Sequence, residues 1–208
     1  SFNLSRFKND STHSRTRLDI ALANASFDPA SNNIMTLLSN GNVGIGTTEP
    51  KATLDINGHM RLRPAEFRVS GDINSFYPVI FADGCWYDGE LVLGICRSNV
   101  HWDSGWRGSL VSIFRSHSNN WGHGSNYYHA EVHQSKKEFV ASCTNVDRSP
   151  KFVVWLRGGG TTYYWRSNHP ARLEDYEAKE KQVNNQTFGV KTQADAGFTG
   201  WNYVKASW

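Results

Sequence analysis

Apolar and polar positions alternate with a period of two along most of this chain. Leu18, Ile20 and Leu22 alternate with Asp19, Ala21 and Ala23. Ile34–Leu38 is an apolar run, Val43 and Ile45 alternate with Gly44 and Gly46, and Leu54 and Ile56 alternate with Asp55 and Asn57. This pattern predicts short strands, each with one buried face. The stretch 41–58 also holds four glycines and Pro50, too many breakers for a helix. Thr47–Pro50 predicts a turn in which Pro50 keeps Glu49 out of the α region. Asn57-Gly58 predicts a second turn, built from residues that tolerate positive φ.

Two strands of this size, paired as a hairpin, are marginal in water. The apolar side chains of Val43, Ile45, Leu54 and Ile56 need cover, and three copies of the chain wrapped about an axis would supply it. The glycines are expected to let the backbones approach near that axis.

From Phe76 onward the texture changes. Residues 76–81, 90–97, 107–117, 125–133, 137–145 and 151–166 read as strands separated by Gly, Asn, Asp and Ser, a spacing that suits a sandwich or barrel. Residues 152–166 read as a hairpin about Gly158-Gly159-Gly160. Trp155 then faces Tyr163 and Val153 faces Trp165, while Phe152, Val154, Leu156 and Tyr164 occupy the other face. A hairpin apolar on both faces is buried on both, and the second layer is expected from a neighbouring subunit. Residues 170–183 form the one predicted helix, with Leu173, Tyr176 and Val183 loosely at helical spacing.

Composition sharpens this picture. A hydrophobic share of 38% is low for a compact monomer with a large core, whereas eight tryptophans suit a sandwich, a carbohydrate binder or an oligomer that buries aromatics between chains. The net charge of +3 is spread evenly along the sequence, which argues against a phosphate-tracking stripe and hence against nucleic acid. No apolar run approaches the roughly 18 residues of a membrane-spanning helix. Cys85, Cys96 and Cys143 lack CxxC spacing and are expected to be small buried side chains in a protein made in a reducing cytoplasm. The chain starts without Met, and is expected to be a fragment of something longer.

The segment GNVGIGTTEPKATLDINGHMRL resembles a segment common in tail fibre proteins of tailed bacteriophages, where it lies in the trimeric shaft before a terminal head. The segments FYPVIF, WRGSLVSIFRSHSNNWG and VVWLRGGGTTYYWR resemble the C-terminal head of certain enterobacterial phage fibres. The resemblance covers about three quarters of the chain and is weakest over the last forty residues. It implies an all-β protein: an intertwined trimeric β shaft over residues 1–64, a neck at 65–75 and a globular, β-sandwich-like receptor-binding head at 76–208. The implied role is host-cell attachment, with a homotrimer at the distal end of a virion fibre docking onto lipopolysaccharide or an outer-membrane protein. Nucleic-acid binding and membrane insertion are not expected. A polysaccharide-degrading tailspike and a bacterial pilus or tailocin adhesin are the alternatives.

An exposed Trp beside polar residues stacks on a sugar ring while its neighbours bind hydroxyls. Trp102, Asp103, Trp106, Arg107, Asn119, Asn120, Trp121 and His123 form the candidate binding set, against the plainer reading that these Trp side chains pack loops or subunit contacts. His117, His123, His129 and His133 suggest a metal, yet His129 and His133 on one strand stand about 13 Å apart, too far to share an ion. No metal or cofactor is expected. Asp83, Asp88, Glu90 and Asp103 include no pair at recognisable glycosidase spacing, and no nucleophile motif is present, so no catalytic residue is assigned and no enzymatic activity is expected.

Overall fold

The computed structural model describes residues 2–10, 13–23, 32–60, 63–84, 86–87, 89–98, 107–121, 126–168, 171–200 and 204–207. It divides into two compact units, Ser1–Arg63 and Pro64–Trp208. Regular structure among the described residues is all strand, apart from one 3-10 turn at Ala196–Phe198.

The first unit is a five-stranded sheet in sequence order: β1 (Phe2–Asp10), β2 (His13–Leu22), β3 (Asn32–Leu38), β4 (Val43–Ile45) and β5 (Leu54–Ile56). Register aligns its apolar residues into two complete cross-strand rows. One row is Leu4, Leu18, Leu37, Val43, Leu54, and the other is Phe2, Ile20, Met35, Ile45, Ile56. Directly paired residues share a face, so all ten side chains project from one side. None of the ten is buried, and Phe2 and Leu4 are more than three-quarters exposed.

The opposite face holds the buried residues: Asp19, Ala21, Thr36, Gly44 and one large apolar side chain, Leu38. Thr36 Oγ1 donates to Asp19 Oδ1 at 2.8 Å, Arg17 pairs with Asp19 at 2.8 Å, and Thr36 is fully buried. A Cβ on Gly44 would stand 2.4 Å from the Thr47 carbonyl oxygen. Gly44 therefore makes room for the chain's own loop. That loop, residues 46–53, corrects the expected hairpin. It is held by Asn42 Nδ2 donating to the Pro50 carbonyl (3.0 Å) and Val43 N donating to the Thr53 carbonyl (2.8 Å). It returns the chain so that β5 runs parallel to β4.

The second unit contains β6 (Ala65–Val69), β7 (Phe76–Ala82), β8 (Leu91–Arg97), β9 (Leu110–His117), β10 (Tyr127–Gln134), β11 (Val140–Asn145), β12 (Lys151–Arg157), β13 (Thr161–Ser167), β14 (Arg172–Asp175), β15 (Lys181–Val183), β16 (Gln186–Phe188) and β17 (Val204–Ser207). A six-stranded antiparallel sheet has the order β17-β10-β9-β8-β13-β6, and a four-stranded sheet has the order β11-β12-β7-β14. Phe67, Leu93, Phe114 and Tyr163 from the first sheet join Phe81, Phe152, Val154 and Leu156 from the second in one buried apolar cluster. Ala65–Val69, read in the sequence as part of a neck, is the edge strand β6 of the larger sheet.

Residues 152–166 are not a hairpin. β12 lies in the four-stranded sheet and β13 in the six-stranded one, so Gly158-Gly159-Gly160 carries the chain from one sheet to the other. Gly159 and Gly160 have φ of +75° and +71°, and Cβ atoms at Gly158 and Gly159 would meet the Ser70 carbonyl oxygen at 2.5 Å and Ile73 Cβ at 2.6 Å. Gly159→Ala is expected to cost about 1–3 kcal/mol, seen as a lowered melting temperature.

The alternation along β12 holds. Phe152, Val154 and Leu156 face the main cluster, while Val153 and Trp155 face outward. The outer layer comes from the chain itself, not from a neighbour. Phe188, Val183 and Ala194 pack on Val153, Trp155, Phe76 and Ile80. Trp155 Nε1 donates to the Gly189 carbonyl at 2.7 Å, and the Lys191 ammonium lies 5.2 Å from the Trp155 ring centre.

The predicted helix at 170–183 is strand and turn. Leu173 pairs with Phe81 at the edge of the four-stranded sheet, and a bulge follows before Asp175 meets Ile80. β15 and β16 close about Asn184-Asn185, both at positive φ (48° and 62°), the conformation of a tight hairpin turn. Three loosely spaced apolar residues carry less weight than those two asparagines.

Candidate functional site

β6 fixes two ends of the second unit. It begins at Ala65 opposite Trp165 and ends at Val69 opposite Thr161. The end where the chain comes in from residue 64, here termed proximal, carries the turns 83–90, 118–121 and 146–150. The distal end carries 70–75, 107–109, 135–139 and 158–160.

The candidate binding set is divided between these ends. Arg107 precedes β9 and Asn119, Asn120 and Trp121 follow it, so the eight-residue strand separates them by about 25 Å. Trp102, Asp103, Trp106 and His123 lie outside the described residues.

At the proximal end Asn119 is buried, and its Oδ1 accepts from Trp121 N at 2.6 Å. Asn119 thus shapes a turn. Asn120 is exposed and Trp121 is 69% exposed, so the plainer reading of a loop-packing Trp does not fit Trp121 in the isolated chain. Tyr127 is about half exposed and stacks on His117, its cross-strand partner, with ring centres 5.3 Å apart. His117 Nδ1 lies 3.0 Å from the Gly89 carbonyl oxygen. Asn145 Nδ2, buried beneath, donates to Ser116 Oγ at 2.9 Å and Ser118 Oγ at 3.2 Å, tying the start of this turn to the smaller sheet.

The carboxylates considered for glycoside cleavage have structural surroundings. Asp83 is buried and accepts from Ser118 N, and Glu90 pairs with Arg115 at 3.1 Å. Asp88 and Asp103 lie outside the described residues, as does Cys85. His129 Nε2 lies 3.3 Å from Glu131 Oε1, and among the described residues no three His, Cys, Asp or Glu side chains converge as ligands. Cys143 is buried and Cys96 half-buried. Burial, and for Cys143 also the nearby Asp195 carboxylate, pushes both thiols upward.

An open hollow of about 410 Å³ is lined by Glu174, Asp175, Tyr176, Glu177 and Lys179. Its acids are already compensated: Glu174 pairs with Lys151 (2.8 Å) and Arg172 (2.7 Å), and Asp175 with the buried ammonium of Lys181. Partial burial alone would raise the Glu174 and Asp175 carboxyls. For Glu174 the hydrogen bonds from Lys151 and Arg172 outweigh it, and for Asp175 those from Lys181 and the Glu177 backbone do, so both sit below their ordinary values of 4.5 and 3.8. Asp195 is lowered in the same way by Lys191 and Ser142. A carboxyl depressed by folding stabilises fully above its unfolded pKa, and that stability is lost as pH falls through the folded value. The unit is therefore expected to lose stability progressively from about pH 4.5 downward, and an acid titration of the denaturation midpoint checks this.

The distal end holds Arg107 of the candidate set together with residues that the sequence did not single out. Arg107 Nη1 donates to the Gly159 carbonyl at 2.7 Å, and Arg68 Nε donates to the Gly160 carbonyl at 2.8 Å, so two guanidinium groups grip one glycine turn. A Cβ on Gly108 would lie 3.2 Å from Lys136 Cβ, so the turn that carries Lys136 and Lys137 packs against the segment just after Arg107. Lys136, Lys137 and Arg68 are exposed. These four cations are scattered over seventy positions, and only the strand order brings them together.

Compared with protein-family models and with curated proteins, the chain matches none.

Proposed function

We propose that this chain is the distal part of a homotrimeric bacteriophage tail fibre that attaches the virion to a bacterial surface receptor, a lipopolysaccharide or an outer-membrane protein. On this reading residues 1–64 are the end of an intertwined β shaft and the second unit is a β-sandwich head. The observation that carries the reading is the apolar face of the first sheet, where two rows of five apolar side chains stay unburied while Asp19 and Thr36 are buried on the other face. A sheet wet on one side normally buries its apolar face. Here that face is complete and regular from edge to edge, as expected if copies of the same sheet close on one another. Ten apolar side chains amount to several hundred Å² per chain, the scale of a stable protein interface of about 800 Å² per partner. The resemblance of 41–62 and of the head segments to phage fibres gives this assembly its role.

Attachment needs no turnover, and modest affinity at each head is multiplied by three copies per fibre. The reading is tested by adsorption of the labelled protein to a panel of enterobacterial strains. Saturable, strain-dependent adsorption without shortening of the surface polysaccharide is expected. Depolymerised polysaccharide would replace attachment with cleavage, and adsorption to no strain would overturn the reading.

A further inference from the structure

The hollow beside β14 forms where edges of the two sheets of the second unit meet. β14 is an edge strand of the four-stranded sheet, and the residue after it, Tyr176, lies against Phe67 of β6, an edge strand of the six-stranded sheet. The two rings meet edge-on, with centres 5.8 Å apart and planes at 61°. Phe67 is buried, whereas Tyr176 is 44% exposed and lines the hollow. The core thus holds one side of the Tyr176 ring and leaves the rest open. Polar groups surround that ring and are fixed by other bonds. Asp175 Oδ1 accepts from both the Lys181 ammonium and Glu177 N (3.1 Å), so Oδ2 keeps its acceptor capacity. Each Glu174 carboxylate oxygen accepts from one cation, Oε2 from Lys151 and Oε1 from Arg172, and retains a further lone pair. Glu177 pairs with Lys179 through Oε2, and Lys179 N donates to the Glu177 carbonyl at 2.8 Å.

We propose that this hollow is a saccharide-binding site, and that its ligand is an uncharged sugar unit of the bacterial envelope. The inference rests on the attachment reading and names a ligand class for it. Three observations carry it. First, a volume of about 410 Å³ falls within the range of about 300–1,000 Å³ typical of small-ligand sites. Second, the half-open Tyr176 ring offers a flat apolar surface of the kind on which the C–H face of a sugar packs. Third, carboxylate acceptors and the Lys179 ammonium stand around that ring, which matches hydroxyls that both donate and accept. The charge of the walls selects against ions. Glu174, Asp175 and Glu177 are already compensated by Lys151, Arg172, Lys181 and Lys179, so a cation gains little, while an anion meets three acids on the lining. Among the described residues no three carboxylates converge as metal ligands.

The test uses the full chain and, as probes, neutral oligosaccharides cut from the lipopolysaccharide of each strain in the adsorption panel, titrated by calorimetry. Saturable binding of at least one is expected, and it is expected to persist at about 0.5 M salt because no charge on the ligand is there to be screened. Tyr176→Ala is expected to weaken binding about tenfold, and Tyr176→Phe, which keeps the ring, to bind within about twofold of the parent. Glu177→Ala removes an acceptor whose side chain is 69% exposed, so the fold is expected to be unaffected, and binding is expected to weaken about fivefold. Binding of no oligosaccharide, binding that Tyr176→Ala and Glu177→Ala leave intact, or binding abolished by salt would each overturn the site, while strain-dependent adsorption would keep the attachment reading. Adsorption to no strain, with oligosaccharide binding retained, would overturn attachment and leave the site.

Discussion

Replacing Leu37 by Asp is expected to abolish assembly of the chain. Leu37 is the central member of the row Leu4, Leu18, Leu37, Val43, Leu54. On the proposed reading each copy buries it against its neighbours. Losing one buried leucine side chain costs about 2–3 kcal/mol, so three copies lose about 6–9 kcal/mol per trimer. Forcing a carboxylate into the same place adds a desolvation cost on top. Even the lower figure moves the assembly constant by about four decades. Sedimentation at micromolar concentration is expected to give a trimer for the parent and dissociated or aggregated chains for Leu37→Asp. Ser5→Lys is the control. Ser5 pairs with Arg17 on the other face and is exposed, so it is expected to leave the trimer intact. A trimeric Leu37→Asp variant would show that the apolar rows are not the interface.

The second large effect is expected from Trp155→Ala. Trp155 is nearly buried between the four-stranded sheet and the segment that contains Phe188 and Gly189. Truncation removes most of that contact and the bond to the Gly189 carbonyl. Core truncations of this size cost about 3–5 kcal/mol, which lowers the melting temperature of a unit of this size by about 10 °C. The oligomeric mass is expected to stay the same, because the layer covering Trp155 belongs to its own chain. A variant that dissociates without a drop in melting temperature would return that layer to a neighbouring subunit.

Most strand positions before residue 170 were legible as apolar or alternating runs between turn residues. Val153 and Trp155 on one face of β12, with Phe152, Val154 and Leu156 on the other, follow from period two alone. Pairing was less legible. Gly158-Gly159-Gly160 permits a hairpin and a crossing between sheets equally well, and the choice was made by long-range packing of β13 between β8 and β6. The same holds for β4 and β5, whose parallel pairing depends on how residues 46–53 fold back against Gly44. Leu173, Tyr176 and Val183 imitated a helix because a short strand, a turn and a hairpin happened to space them so.

The candidate site was legible in part. Trp121 is exposed beside Asn120, as a sugar-stacking group requires, but Asn119 holds the turn. Arg107 sits at the other end of β9, and sequence proximity could not reveal that one strand divides the block. Arg68, Lys136 and Lys137 carried no local signal, since their grouping exists only after β6, β10 and the glycine turn are in place.

Sedimentation equilibrium of the full chain at micromolar dilution tests the central claim most directly. Three copies of the 23.4 kDa chain give a particle of about 70 kDa, and that mass is predicted to persist on dilution because assembly would bury the two apolar rows, none of whose ten side chains is buried in the single chain. A folded, stable species of single-chain mass would contradict the shared face, and with it the attachment reading that depends on it.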